Sequence, residues 1–189
     1  MFVFLLVLAC TSEIDNKQAA EVKDVVVAPT KEVKKSSEDT KKKVSGDALS
    51  LSSTSTLEWV GAKVTGDHKG GFTVVQGSAK VEGDTLISLD AEIDISSMFS
   101  DSDRLTTHLL SKDFFESKKY PKATFSSTKI ENGTISGVLD MRMIKKEISF
   151  PAKISVSQQV VDIQSEFTIN RRLWEINYDG KANNLIKDN

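Results

Sequence analysis

The sequence predicts an all-β domain, an antiparallel barrel of about eight strands with one short helix in its central crossover. Three observations carry this. After residue 57, apolar and polar side chains alternate with a period of two in stretch after stretch, as half-buried strands do. Turn signals such as Gly83-Asp84 and Asn132-Gly133 separate those stretches at short intervals. The segment 108–125 (HLLSKDFFESKKYPKATF) breaks the rhythm, with Leu109 and Leu110 in a helix-like turn that begins before it at Leu105, and two adjacent phenylalanines. So much apolar bulk in a crossover suits a plug over a core better than a solvated loop.

The chain starts with an apolar run, MFVFLLVLAC, over residues 1–10. A bilayer takes about 20 apolar residues to cross, so this run is too short to span one and has the shape of a secretory leader. The pattern Val7, Ala9, Cys10 resembles the bacterial lipobox, in which cleavage leaves the cysteine as an acylated N-terminus. No Lys or Arg precedes the run, so the basic start of such leaders is missing. The expectation is lipidation at Cys10, which leaves no thiol for a disulfide. Residues 11–47 hold eight basic and eight acidic side chains and no aromatic one. They offer too little apolar surface to offset their ordering entropy and read as a disordered charged tether. The folded domain is expected over residues 48–189.

Its elements follow in order. Residues 57–64 read as a strand, and Gly66, Gly70 and Gly71 mark a break. Val75, Gly77, Ala79 and Val81 then alternate with Gln76, Ser78 and Lys80. Ile87, Leu89, Ala91, Ile93 and Ile95 alternate with Ser88, Asp90, Glu92 and Asp94. Residues 100–111 form a helical turn, with Asp101 and Asp103 as N-terminal acids and Leu105 and Leu109 on one side. Beyond Pro121, Ala123 and Phe125 open a strand. Ile135, Gly137, Leu139, Met141 and Met143 form the next inward face, and Lys145-Lys146 turns the chain into Ile148, Phe150, Ala152, Ile154 and Val156. Val161, Ile163, Ser165, Phe167 and Ile169 form the last complete strand. Slender inward residues such as Gly77, Ala91 and Ala152 fit a ligand cavity or the corners of a packed sandwich equally well.

Composition excludes several functions. A net charge of −2 gives no field for nucleic acid. One cysteine and two histidines supply no metal-ligand set, so neither a metal nor a cofactor is expected, and His68 and His108 read as hydrogen-bonded structural residues. Ser111 near His108 lacks an evident orienting acid and oxyanion hole, which leaves a hydrolase as the minor alternative. Asp113 with Arg104 or Lys112, and Arg171 with Glu166, are candidate rim ion pairs. The strands lack the aromatic girdles of an outer-membrane barrel.

Several motifs, in order, carry a resemblance over about residues 49–189. They are Trp59-x-Gly61-x-Lys63 with Gly66, His68, Gly70 and Phe72, then Asp94-Ile95-Ser96-Ser97-Met98, His108-Leu109-x-Ser111-x-Asp113-Phe114-Phe115 and Tyr120-Pro121-x-Ala123-x-Phe125. Gly137-x-Leu139-x-Met141, Phe150-Pro151-Ala152 and Phe167-x-Ile169-x-Arg171-x-x-Trp174 complete the set. Together they resemble the YceI-like lipid-binding proteins, in a lipoprotein form. The resemblance implies an extended lipocalin-like β-barrel, with no catalysis, enclosing an apolar cavity for an isoprenoid-type lipid such as a polyprenol or isoprenoid quinone. It also implies a periplasmic or cell-envelope setting, with the lipid carried, stored or used in stress protection. The pattern's closing strand is expected to be cut short at residues 185–189.

On this reading Ile93, Ile95, Phe125, Leu139, Met141, Phe150, Ile163 and Phe167 line the cavity, with Phe114 and Phe115 at its mouth or wall. Burial of hydrocarbon drives such binding, so few polar groups are needed. The expected partners are the lipid and, through Cys10, a membrane, the outer membrane being favoured because Thr11 is not the aspartate of an inner-membrane retention signal. A homodimer is a further option, and a non-catalytic envelope scaffold binding through its outer face, at Glu92 or Asp140, is the alternative. In cells fed labelled palmitate, the wild-type chain should take up label and Cys10→Ser should not; an unlabelled wild-type chain rejects the anchor.

Overall fold

The computed structural model describes residues 17–25, 47–63 and 66–177. Cys10 and its leader, the rest of the tether, Val64 and the expected closing strand at residues 185–189 lie outside the described residues. Within them the chain is mostly strand: β1 (Glu21–Asp24), β2 (Asp47–Ser50), β3 (Leu57–Lys63), β4 (Gly66–Phe72), β5 (Val75–Glu82), β6 (Thr85–Asp94) and β7 (Met98–Ser100) come first. The single helix, α1 (Asp103–Leu110), follows, and then β8 (Lys122–Glu131), β9 (Thr134–Met141), β10 (Ile144–Pro151), β11 (Lys153–Ser157) and β12 (Val160–Gln164).

All strand pairs are antiparallel, but they form three sheets rather than one closed barrel of about eight strands. A seven-stranded sheet runs β1-β10-β9-β8-β6-β5-β2; β3-β4-β7 and β11-β12 form the others. The sheet does not close on itself among the described residues. At Pro151-Ala152 the chain leaves the ladder, because proline has no N–H to donate and the Ala152 N–H turns to the Gly133 carbonyl. The last expected strand likewise ends at Gln164, although Ser165, Phe167 and Ile169 stay buried beyond it. The tether reading is corrected as well. Residues 21–24 lie within it, yet they pair with β10, and its last residue, Asp47, pairs with Val81 of β5. Backbone ladders need no apolar side chains, so composition alone could not exclude them.

Local geometry adjusts two faces. Lys80 pairs with Ser88 but Val81 with Leu86, so a bulge at Ile87 shifts the phase and buries Leu86 in place of Ile87. The β9–β10 hairpin turns at Arg142-Met143, not at Lys145-Lys146. Both turn residues have left-handed φ, and Met143 stands 83% exposed instead of facing inward. Asn132-Gly133 makes the same kind of turn, as its sequence predicts.

Two glycines are required by aromatic rings. The Trp59 indole lies over Gly70, its cross-strand partner; a Cβ there would come 2.4 Å from Trp59 Cζ2. The Phe125 ring covers Gly137 on the neighbouring strand, where a Cβ would lie 2.6 Å from Phe125 Cζ and 2.4 Å from the Ser126 carbonyl oxygen. Gly137→Ala should therefore cost about 2–3 kcal/mol through overpacking. Urea melts would measure it, and unchanged stability would show that the ring imposes no such constraint.

Candidate functional site

The buried side chains divide into two clusters. The larger is built on the seven-stranded sheet, the β11–β12 hairpin and the segment after β12; the smaller centres on Leu57, Trp59, Ile93, Ile95 and Met98. At their junction lies an apolar cavity of about 50 Å³. Its walls come from Leu51 and Leu57 on one side, Leu89, Ala91 and Ile93 of β6, Phe125, Leu139, Ile148 and Phe150 of β8 to β10, and Phe167 and Ile169 after β12, with Val75 between. Ser55, Thr56 and Asp90 are the polar residues in that lining. Ligand pockets are typically about 300–1,000 Å³, so the cavity as it stands holds little more than its own packing gap.

Three aromatic rings occupy its centre. Phe150 stacks on Phe167 at 4.2 Å between centroids and 12° between planes, and Phe125 leans on Phe150 at 5.6 Å. These contacts join β8, β10 and the segment beyond β12, which share no backbone ladder with one another.

Of the predicted lining residues, the fold brings Ile93, Phe125, Leu139, Phe150 and Phe167 to the cavity. Five others pack elsewhere. Ile95 belongs to the smaller cluster because a 3-10 turn at Ile95–Ser97 lifts it out of β6. Ile163 is fully buried in the larger cluster, away from the cavity. Met141 is half-buried against both clusters next to the tight Arg142-Met143 turn, and Phe115 also touches both. Phe114 is buried between the edge of the His108 imidazole, 5.1 Å away, and the Arg171 guanidinium, 5.6 Å from its ring. The sequence reading missed Leu51, Leu57, Val75, Leu89, Ala91, Ile148 and Ile169, although period two had already placed all of these but Leu51 and Leu57 on inward faces.

The segment after α1 is held as a plug. Ser102 caps the helix by accepting from the Leu105 N–H, and Asp103 supplies its first-turn charge. Beyond the helix the Phe115 N–H returns to the Leu109 carbonyl and the Glu116 N–H to that of Ser111. Opposite, Asn170 caps a 3-10 turn at Arg171–Trp174, and the fully buried Trp174 donates its Nε1–H to the Leu139 carbonyl at 3.3 Å.

Residues 50–189 match the model of the YceI-like domain. The chain belongs to this family. Its members bind polyisoprenoid or lipid-like ligands. Among solved structures, the chain is similar to BcnA of Burkholderia cenocepacia, with a TM-score of 0.55 and 18% identity over 64% of this chain and 80% of that one, a likeness of fold. It is also similar to the Campylobacter jejuni YceI protein that crystallizes with large solvent channels, and to a mutant of it with a monobromobimane guest structure. Both match at 29% identity and a TM-score of 0.43, over 45% of this chain and 54% of theirs, so the match spans about half their length. No curated protein matches.

The motifs of the YceI-like resemblance now have physical reasons. In Asp94-Ile95-Ser96-Ser97-Met98, the Asp94 carboxylate accepts from the Ser96 N–H at 2.8 Å and the Ser96 hydroxyl at 2.6 Å, and the Ser97 hydroxyl binds the Asp94 carbonyl. This corner swings the chain from β6 to β7. The Ser96 hydroxyl bond, first of several, lowers the Asp94 pKa below its usual 3.8. His68 donates to Asp101 at 2.8 Å, which fastens β4 to the start of the plug segment; that bond, then the Lys69 N–H, lowers the Asp101 pKa. Asp101 therefore serves β4 rather than the helix dipole.

The remaining polar candidates are structural. Asp113 faces His108 at 3.3 Å instead of Arg104 or Lys112. Glu166 pairs with Lys17, while Arg171 donates to the Ile176 carbonyl. The Ser111 hydroxyl gives its proton to the backbone carbonyl of His108, so Ser111, His108 and Asp113 do not line up as a nucleophile, base and acid. Because the unfolded chain binds protons at Asp94 and Asp101 at higher pH than the fold does, their contribution is complete above about pH 5 and fades as pH falls below the unfolded pKa near 4. The melting temperature should drop on acidification through this window, less steeply in Asp94→Asn and Asp101→Asn; parallel curves would remove these carboxylates from the acid response.

Proposed function

We propose that this protein binds an isoprenoid-type lipid, a polyprenol or isoprenoid quinone, without catalysing a reaction, and that it works in the cell envelope, anchored through an acylated Cys10. The observation that carries the reading is the apolar cavity at the junction of the two core clusters, walled by six strands and the segment after β12 and centred on Phe125, Phe150 and Phe167. Membership of the YceI-like family supports the ligand class. Each Å² of hydrocarbon removed from water contributes about 25 cal/mol, so a long prenyl chain gains affinity by burial alone, and Ser55, Thr56 and Asp90 are the polar groups available for its head. Among the described residues no helix is long and apolar enough to cross a membrane.

Leu139→Trp and Phe167→Trp place extra bulk on the cavity wall. Each should abolish uptake of an added prenol or quinone while the β-rich circular dichroism stays intact. Folded variants that still take up lipid would defeat the cavity assignment. Native mass spectrometry of the chain purified without detergent should show a stoichiometric hydrophobic adduct with isoprene mass spacing. A folded protein that travels empty and ignores added quinones and prenols would turn the reading to an envelope scaffold acting through its outer face.

A further inference from the structure

We infer that the strand β1, together with residues 17–20 before it, is a removable strap that closes the cavity wall and opens to admit the ligand. The inference rests on the lipid-binding reading above. Val22 pairs with Ile148 of β10, a cavity-lining residue. Just before it, the Ala20 N–H donates to the Thr168 carbonyl at 2.9 Å, and Thr168 sits between the lining residues Phe167 and Ile169. The segment thus fills the gap between the edge of the seven-stranded sheet and the irregular stretch after β12. Behind the Phe150–Phe167 stack, it is the backbone link between β10 and the stretch after β12 on this side of the cavity. The cavity of about 50 Å³ is too small for a prenyl chain, so some wall must move for the ligand to enter.

This wall is weakly held. β1 is four residues long, has a partner strand on one side only, and none of its residues is buried; only Ala20 and Val22 touch the core, both incompletely. Its ion pairs, Lys23 with Glu21 and Asp24 with Lys146, involve largely exposed carboxylates and are screened by solvent. By contrast β9 has a partner strand on each side, β8 along Thr134–Asp140 and β10 along Thr134–Met141, and β8 pairs with β6 at Lys122–Ser126 and with β9 from Thr124 to Glu131. Elements with few buried contacts open locally long before the fold does. Lys17 also follows Cys10 by seven residues, so on the proposed acylation the seam stays within about 25 Å of the bilayer while the strap is seated. The seam would then face the ligand's source.

A cross-link tests this. Lys23 and Glu147 are cross-strand partners on the outward side, so Lys23→Cys with Glu147→Cys, in a full chain carrying Cys10→Ser, can be joined by a disulfide without touching the cavity. The probe is dansyl-labelled geranylgeraniol delivered from phosphatidylcholine vesicles. The oxidised form should take it up at least about tenfold more slowly than the reduced form, with reduction restoring the rate. Equal rates in the two forms would overturn the strap and leave the lipid reading standing. No uptake in either form would reject the lipid reading and, with it, a strap that admits lipid. Amide hydrogen exchange reports on the strap without any ligand: Glu21–Asp24 should exchange faster than β9, and equally slow exchange would make β1 a fixed strand and overturn the inference.

Discussion

Everything in this domain hangs on one chain of ring contacts that begins at a glycine. Gly137 has no Cβ, so the Phe125 ring can lie over its backbone; Phe125 leans on Phe150, and Phe150 stacks on Phe167. The contacts cross from β8 to β10, which both pair with β9 but not with each other, and on to the stretch after β12, whose backbone bonds run to residues 18–20 rather than to β8 or β10. Dispersion and apolar burial therefore do what closure of a barrel by hydrogen bonds would otherwise do. They also place aromatic surface where a hydrocarbon ligand would lie, so the packing of the empty fold and the proposed site are made from the same side chains.

A second consequence concerns the edges. Of the two outer strands of the main sheet, β1 comes from the stretch whose composition reads as tether, and β2 begins at the last residue of that stretch, Asp47. Edge strands left bare invite pairing with other chains. Here the polar sequence EVKD covers one edge with little apolar commitment, and such an edge can detach at small cost compared with a strand in the middle of the sheet. The segment that joins the domain to a membrane on the proposed reading is then also the segment that controls its wall.

The polar side chains are spent on shape rather than chemistry. Asp94 builds a corner, Asp101 holds His68, Ser111 and Ser102 end the helix, and Arg142 bridges the β9–β10 turn to Glu116 and the Glu175 carbonyl. Each of these residues fixes one piece of the irregular stretches flanking the sheet. This division, apolar interior and polar corners, is what a binding module for a feebly polar ligand requires, because affinity comes from area and the corners keep that area in place.

The sequence by itself determined the β class, the inward faces of most strands, the Asn132-Gly133 turn, the helix within the crossover and half of the residues expected at the cavity. These follow from local rules, since side-chain alternation and turn chemistry are properties of adjacent residues. Only the tertiary structure decided the rest. A bulge at Ile87 and a turn at Arg142-Met143 carry no turn residues to announce them, and each reverses which side chain faces in. Ile163 and Leu51 show the same limit from opposite directions: alternation marks Ile163 as inward, yet depth in the cluster takes it from the cavity, whereas Leu51 arrives there because β2 docks on β5. Pairing of β1 with β10 joins residues more than a hundred positions apart through backbone groups that every residue possesses, and that is why composition could not see it.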